Sequence, residues 1–148
     1  MSTPIKVVLV EDSAIALQIL HRLIDSSPEV DVVGTAQDGT DGLKVIAQTM
    51  PDVIYTDLQM PRMDGLEFTE KVMSEFPRPI LVVSNTVHPS DVDNIFNLMQ
   101  AGALDFFPKP TSGTAMDYDK LKNSLITKIK DLASKKFQSV IRLDVTHS

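Results

Sequence analysis

Five short apolar runs alternate with stretches of helical periodicity along this chain, and few folds accept that order. Ile5–Val10 (IKVVLV), Val30–Ala36 (VDVVGTA), 53–56 (VIYT), 80–83 (ILVV) and 103–107 (ALDFF) read as strands. Ser13 caps a first helix carrying Ala16, Leu17, Leu20, Leu23 and Ile24 through Asp25, and Pro28 ends it. After a turn at Asp38-Gly39, Leu43, Val45, Ile46 and Ala47 form the apolar side of a second helix that stops before Pro51. Leu66, Phe68, Val72 and Met73 fit a short third helix, with Pro77 and Pro79 at its exit. Ser90 caps a fourth, carrying Val92, Ile95, Phe96, Leu98 and Met99 and stopped by Gly102. Leu121, Leu125, Ile126, Ile129 and Leu132 line a last helix over about 118–133. Strand–helix alternation repeated in this way predicts a doubly wound, five-stranded parallel α/β sheet with helices on both faces. Asp31, Gly34 and Thr35 break the pattern of the second strand and place it near an edge. The fourth strand is the most apolar and is expected to be central.

Composition narrows the function classes. A chain of 148 residues, 43% apolar, suits one domain with an ordinary core. No apolar run is long enough to span a bilayer, and the N-terminus lacks the pattern of a signal peptide. With no cysteine there is no disulfide framework or thiolate metal site, so a cytoplasmic protein without membrane contact is expected. A net charge of −6 argues against general nucleic-acid binding. The basic residues Lys120, Lys122, Lys128, Lys130, Lys135, Lys136 and Arg142 face a single acid, Asp131, over the same stretch, and the apolar pattern decays after Ala133. Residues 1–133 are therefore expected to form the domain and 134–148 a linker or C-terminal tail.

The polar residues at the strand ends carry the chemistry. Ligands of such sheets bind beyond the carboxyl ends of the strands, at the switch in strand order. Glu11-Asp12 follow the first strand, Asp57 the third and Ser84 the fourth, and Lys109-Pro110 follow the fifth. Glu11-Asp12 alone would read as a solvated turn. Beside Asp57 they form a group of like charges that needs a cation or a proton between them. Mg²⁺ takes oxygen ligands, and Asp12 and Asp57 suit direct contact, with Glu11 acting through a bound water. Asp57 is either a metal ligand only or a nucleophile that attacks phosphorus to give an aspartyl phosphate. Lys109, held between Pro108 and Pro110, is the candidate to stabilise the transferred group, and a cis bond before Pro110 would turn that loop tightly. Ser84 either satisfies a strand-end amide or donates to a phosphate oxygen. Phe106 reads as core in preference to a mobile aromatic. His21, His88 and His147 make no metal spacing, and His21 reads as structural or exposed.

Taken together, Glu11-Asp12, Asp57 in DLQMPRMDG, Ser84 after a strand, and Lys109-Pro110 after AGALDFF resemble the receiver domain of two-component response regulators, across roughly residues 5–133. VVGTAQDG, PRPILVVSN and GALDFFPKP resemble more narrowly the receiver of chemotaxis-type protein-glutamate methylesterases. The resemblance implies a flavodoxin-like receiver fold and Mg²⁺ held by Asp12, Asp57 and the backbone carbonyl of Gln59, with Glu11 nearby. It implies transfer of a phosphoryl group from the phosphohistidine of a sensor histidine kinase to Asp57, catalysed by the receiver itself with Lys109 and Ser84. Ser84 and Phe106 would then move together as a switch, changing the face built from the helix after Ser90, the fifth strand and the last helix. The output would be a C-terminal domain or a downstream protein. No Gly-x-Ser-x-Gly is present, so the hydrolase activity of those methylesterases is not carried over. Asn85 departs from the small residue common after the switch serine and would narrow access to the acyl phosphate. A receiver-like module that works by binding alone, without phosphorylation, is the competing expectation, and the complete acidic and basic set argues against it. A doubly wound Mg²⁺-dependent phosphatase is disfavoured because Glu11-Asp12-Ser13 is not an Asp-x-Asp motif.

Overall fold

The computed structural model describes residues 3–57, 63, 65–84, 93, 96, 105–108 and 118–147. The elements run β1 (Ile5–Val10), α1 (Ala14–Asp25), β2 (Val30–Ala36), α2 (Gly39–Thr49), β3 (Val53–Asp57), α3 (Gly65–Glu75), β4 (Ile80–Ser84), β5 (Asp105–Pro108) and α4 (Tyr118–His147). The strands form one sheet in the order β2-β1-β3-β4-β5, and every neighbouring pair is parallel. β2 is an edge strand, as its broken pattern suggested. β4 is an interior strand between β3 and β5, while the middle position belongs to β3.

Parallel strands covered on both faces must be apolar at consecutive positions. Val7, Val8, Leu9 and Val10 are all fully buried. The period of two then sorts them between two cores. Val7, Leu9, Val53, Tyr55, Leu81 and Val83 face α1 and α4 and pack with Leu17, Leu20, Ile24, Leu125, Ile129 and Leu132. Val8, Val10, Ile54, Ile80 and Val82 face α2 and α3 and pack with Ile46, Phe68 and Val72.

The helix boundaries follow local chemistry. Ser13 caps α1, its hydroxyl accepting from Ala16 N at 3.2 Å. Asp38-Gly39, expected as a turn, is instead the start of α2. The Asp38 carboxylate accepts from Asp41 N at 2.8 Å, so an aspartate in extended backbone opens a helix here. Met50, in the left-handed region with φ 49°, closes α2 immediately before Pro51 and donates its N–H to Ile46 O at 2.8 Å. Ala47, expected on the apolar side, is exposed; Ile46 and the glycines are buried, and Leu43 and Val45 pack beside them. A Cβ on Gly42 would lie 3.0 Å from Phe68 and 3.1 Å from Val10, so α2 seats closely on β1 and α3. β5 begins at Asp105 and extends to Pro108, shifted from the expected 103–107.

Of the helix expected after Ser90, Asp93 and Phe96 are described; both are helical and exposed. α4 continues to His147, well past the point where the apolar pattern fades. At 1.5 Å per residue it is about 45 Å long. Leu132 is buried, and Lys128 ties the helix to β5 through an ion pair with Asp105 at 2.9 Å. No helix among the described residues is long and apolar enough to cross a membrane.

Candidate phosphoacceptor and metal site

The chain leaves β1 on one side of the sheet and returns to β3 on the other, so the strand order switches between β1 and β3. Their register pairs Val10 with Thr56, and the next residues on each strand, Glu11 and Asp57, emerge together at the carboxyl edge. Topology thus joins two acidic groups 46 positions apart in sequence. Carboxylate oxygens of Glu11, Asp12 and Asp57 lie within 4.8 Å of one another. Glu11 is fully buried, Asp57 is 9% exposed, and Asp12 is exposed to solvent.

Each carboxylate is placed by its backbone. Glu11 N–H donates to Ala36 O at 3.0 Å, which fixes the end of β1 against β2. The Glu11 carboxylate accepts from Ser13 N at 3.0 Å, and Ser13 in turn caps α1. Residues 11–13 therefore form a stiff turn that sends Asp12 outward at the mouth of the cluster. Asp57 ends β3 with its backbone still in register with Val83. Behind it, Thr56 is fully buried and its hydroxyl donates to the Asp57 carbonyl at 3.0 Å. Met63, six residues beyond Asp57 in sequence, is buried against Gly39, where an added Cβ would meet Met63 Sδ at 2.8 Å and its Cβ and Cγ at 3.1 Å.

Three clustered carboxylates, two of them buried, make a donor set of hard oxygens suited to a divalent cation. Mg²⁺ fits this set better than a softer metal, because neither sulfur nor imidazole belongs to it.

The other expected site residues converge in part. Ser84 ends β4 and is paired in register with Pro108, the last residue of β5. The backbone positions leading to Ser84 and to Lys109 are therefore side by side at the same edge as Asp57. Phe106 lies in β5 opposite Val82. Lys109, Gln59, Asn85 and the bond before Pro110 lie outside the described residues, as do the side chains of Ser84 and Phe106.

Two features escaped the sequence reading. One is the Lys128–Asp105 pair. The other is Tyr55, whose place in a strand pattern says nothing of a role. It lies two residues before Asp57, and the period of two puts it on the same face of β3. Its ring is 1% exposed in the core beneath α1 and α4. Burial, then the charges of Glu11 and Asp57, push ionisation of the phenol far above its ordinary range, so Tyr55 stays neutral beside the cluster.

The model of the response regulator receiver domain matches residues 7–118. A protein-glutamate methylesterase/protein-glutamine glutaminase of Halalkalibacterium halodurans is 40% identical over 129 residues, covering 87% of this chain and 37% of that protein. A second protein of the same name from Nitratidesulfovibrio vulgaris is 39% identical over 132 residues, covering 89% of this chain and 36% of its own. The chain thus spans little more than a third of the length of the curated relatives it matches. Among solved structures, the response regulator domain of Thermotoga maritima CheB superposes with a TM-score of 0.77 at 30% identity, covering 88% of this chain and 97% of that one. The matched segment, the parallel order β2-β1-β3-β4-β5 and the carboxylates at its switch point agree: this chain belongs to the response regulator receiver domain family of two-component signalling.

Proposed function

We propose that Asp57 is the phosphoacceptor, taking a phosphoryl group from the phosphohistidine of a sensor histidine kinase. The observation that carries this reading is the position of Asp57 at the end of β3, with its carboxylate in a cluster with those of Glu11 and Asp12. An Asp57 oxygen attacks phosphorus, the P–N bond to the donor imidazole breaks, and an acyl phosphate forms while the imidazole nitrogen recovers its lone pair. Asp12, Asp57 and the Gln59 carbonyl would hold Mg²⁺, with Glu11 acting through a bound water, and the ion would screen the charge of donor and acceptor. The Glu11–Ser13 hydrogen bond orients the acidic turn so that the cluster is assembled before the donor arrives. Lys109 and Ser84, at the ends of β5 and β4, contact the phosphoryl oxygens, and Phe106 follows Ser84. The result is a population shift in the face formed by the helix after Ser90, β5 and α4.

In this reading residues 1–133 are the receiver unit and 134–148 the connector or tail. The relatives' names point to a chemotaxis-type output of the methylesterase kind, placed in the cytoplasm with the kinase that supplies it. The intact acidic cluster favours this over a module that works by binding alone. Incubation with labelled acetyl phosphate and Mg²⁺ tests it. The parent should incorporate acid-labile, base-labile label and Asp57→Asn should not, because an amide is a poor nucleophile. Parental labelling of Asp57→Asn would defeat the assignment.

A further inference from the structure

Tyr55 holds a polar atom that the mechanism above does not use. Its hydroxyl is buried and has no hydrogen-bond partner among the described residues, although the ring sits in a well-packed core. Buried hydroxyls are normally satisfied, and one left unpaired destabilises the fold that holds it. Phenylalanine would fill the same space without that penalty, so packing alone does not account for tyrosine here. The geometry of β3 supplies an account. Val53, Tyr55 and Asp57 alternate onto one face, and so do Leu9 on the adjacent β1 and Glu11 just past its end; Leu9 pairs with Tyr55. Tyr55 therefore lies in the core on the same face of the sheet as Asp57, one alternation below the acidic cluster. The charges of both Glu11 and Asp57 are felt at its hydroxyl.

We infer that the Tyr55 hydroxyl is a positioning residue of the cation site, accepting a hydrogen bond from a water on the bound cation. This rests on the metal reading above. A water on a divalent cation is polarised into a strong donor with no lone pair to spare. The three carboxylates accept only, and so does the phenol oxygen toward that water. The phenol differs from a fourth carboxylate in bringing no further negative charge into an already anionic pocket. A phenol is neutral at ordinary pH, so it adds an acceptor without adding charge. Its oxygen thus gains an acceptor contact when the site is filled that it lacks in the metal-free protein.

The test is Tyr55→Phe in the full chain, read by calorimetric titration with Mg²⁺ and by thermal melting without it. The side chains are nearly isosteric, and circular dichroism checks that the variant folds. Mg²⁺ affinity should fall about three- to tenfold, the range set by one lost hydrogen bond, while the metal-free melting temperature holds or rises. The parent should also show a tyrosine fluorescence change on adding Mg²⁺ that Tyr55→Phe lacks. Equal Mg²⁺ affinity in parent and variant would overturn the inference. A clear fall in the metal-free melting temperature would also overturn it, by showing that the hydroxyl is already paired. Failure of the parent itself to bind Mg²⁺ would sink the metal reading first, and is seen separately from either result.

Discussion

Asp12→Ala should stabilise the metal-free protein and weaken Mg²⁺ binding, two effects of opposite sign from one substitution. Asp12 is the exposed member of a trio whose carboxylate oxygens lie within 4.8 Å of one another. Because it faces water, a solvent-like dielectric applies, and each repulsion at that distance is worth about 0.9 kcal/mol. Asp12 takes part in two of them, with Glu11 and with Asp57, so its removal relieves about 2 kcal/mol. A smaller term opposes this. Asp12 precedes the Ser13 cap of α1, where a negative charge favours the helix dipole by about 0.3–1 kcal/mol. The net gain is about 1 kcal/mol, or about 3 °C in melting temperature for a chain of this size. With Mg²⁺ at ten times its dissociation constant, binding should stabilise the parent by about 1.4 kcal/mol. The variant, lacking a ligand, should show little of that. Thermal melts at 222 nm with and without Mg²⁺ read both effects, and the order of stability should invert between the two conditions. A variant that melts lower without Mg²⁺, or gains as much from Mg²⁺ as the parent, would refute the account of the cluster.

Lys109→Ala should leave phosphorylation detectable but uncouple it from the switch, because a charge-assisted contact is lost while the neutral Ser84 donor remains. Amide NMR shifts around Ser84 and Phe106 with beryllofluoride at equal occupancy should shrink, and parental shifts would exclude Lys109 from the switch. Gly39→Ala should cost about 1 kcal/mol net in urea denaturation, since overpacking against Met63 outweighs the gain from a stiffer unfolded chain. A more stable variant would show that the Met63 contact yields freely.

The layered fold and the core of the site were legible because they depend on period and topology. Alternating apolar runs require a parallel sheet, and such a sheet brings Glu11, Asp12 and Asp57 to one edge without any contact having to be guessed. Ser13 as a cap and Leu125, Ile129 and Leu132 as a buried face followed from local spacing alone. What escaped depends on competing local options or on distant partners. Asp38-Gly39 fits a turn as well as a helix start, and the Asp41 amide decides between them. Ala47 is small enough to sit on either side of α2, and close seating through Gly39 and Gly42 turned it outward. The continuation of α4 past Ala133 has no sustained apolar spacing in the sequence, so the fading pattern gave no sign of it. Tyr55 resembled any strand aromatic until the charges above it were in place.

The central claim is that the acceptor is the carboxylate of Asp57. Borohydride reduction of the phosphorylated protein converts an acyl phosphate to the corresponding alcohol, which marks the acceptor covalently. Peptide mass spectrometry after reduction should find homoserine at position 57 and aspartate at position 12. Homoserine at position 12, or a labelled protein with no reducible residue at position 57, would contradict the account.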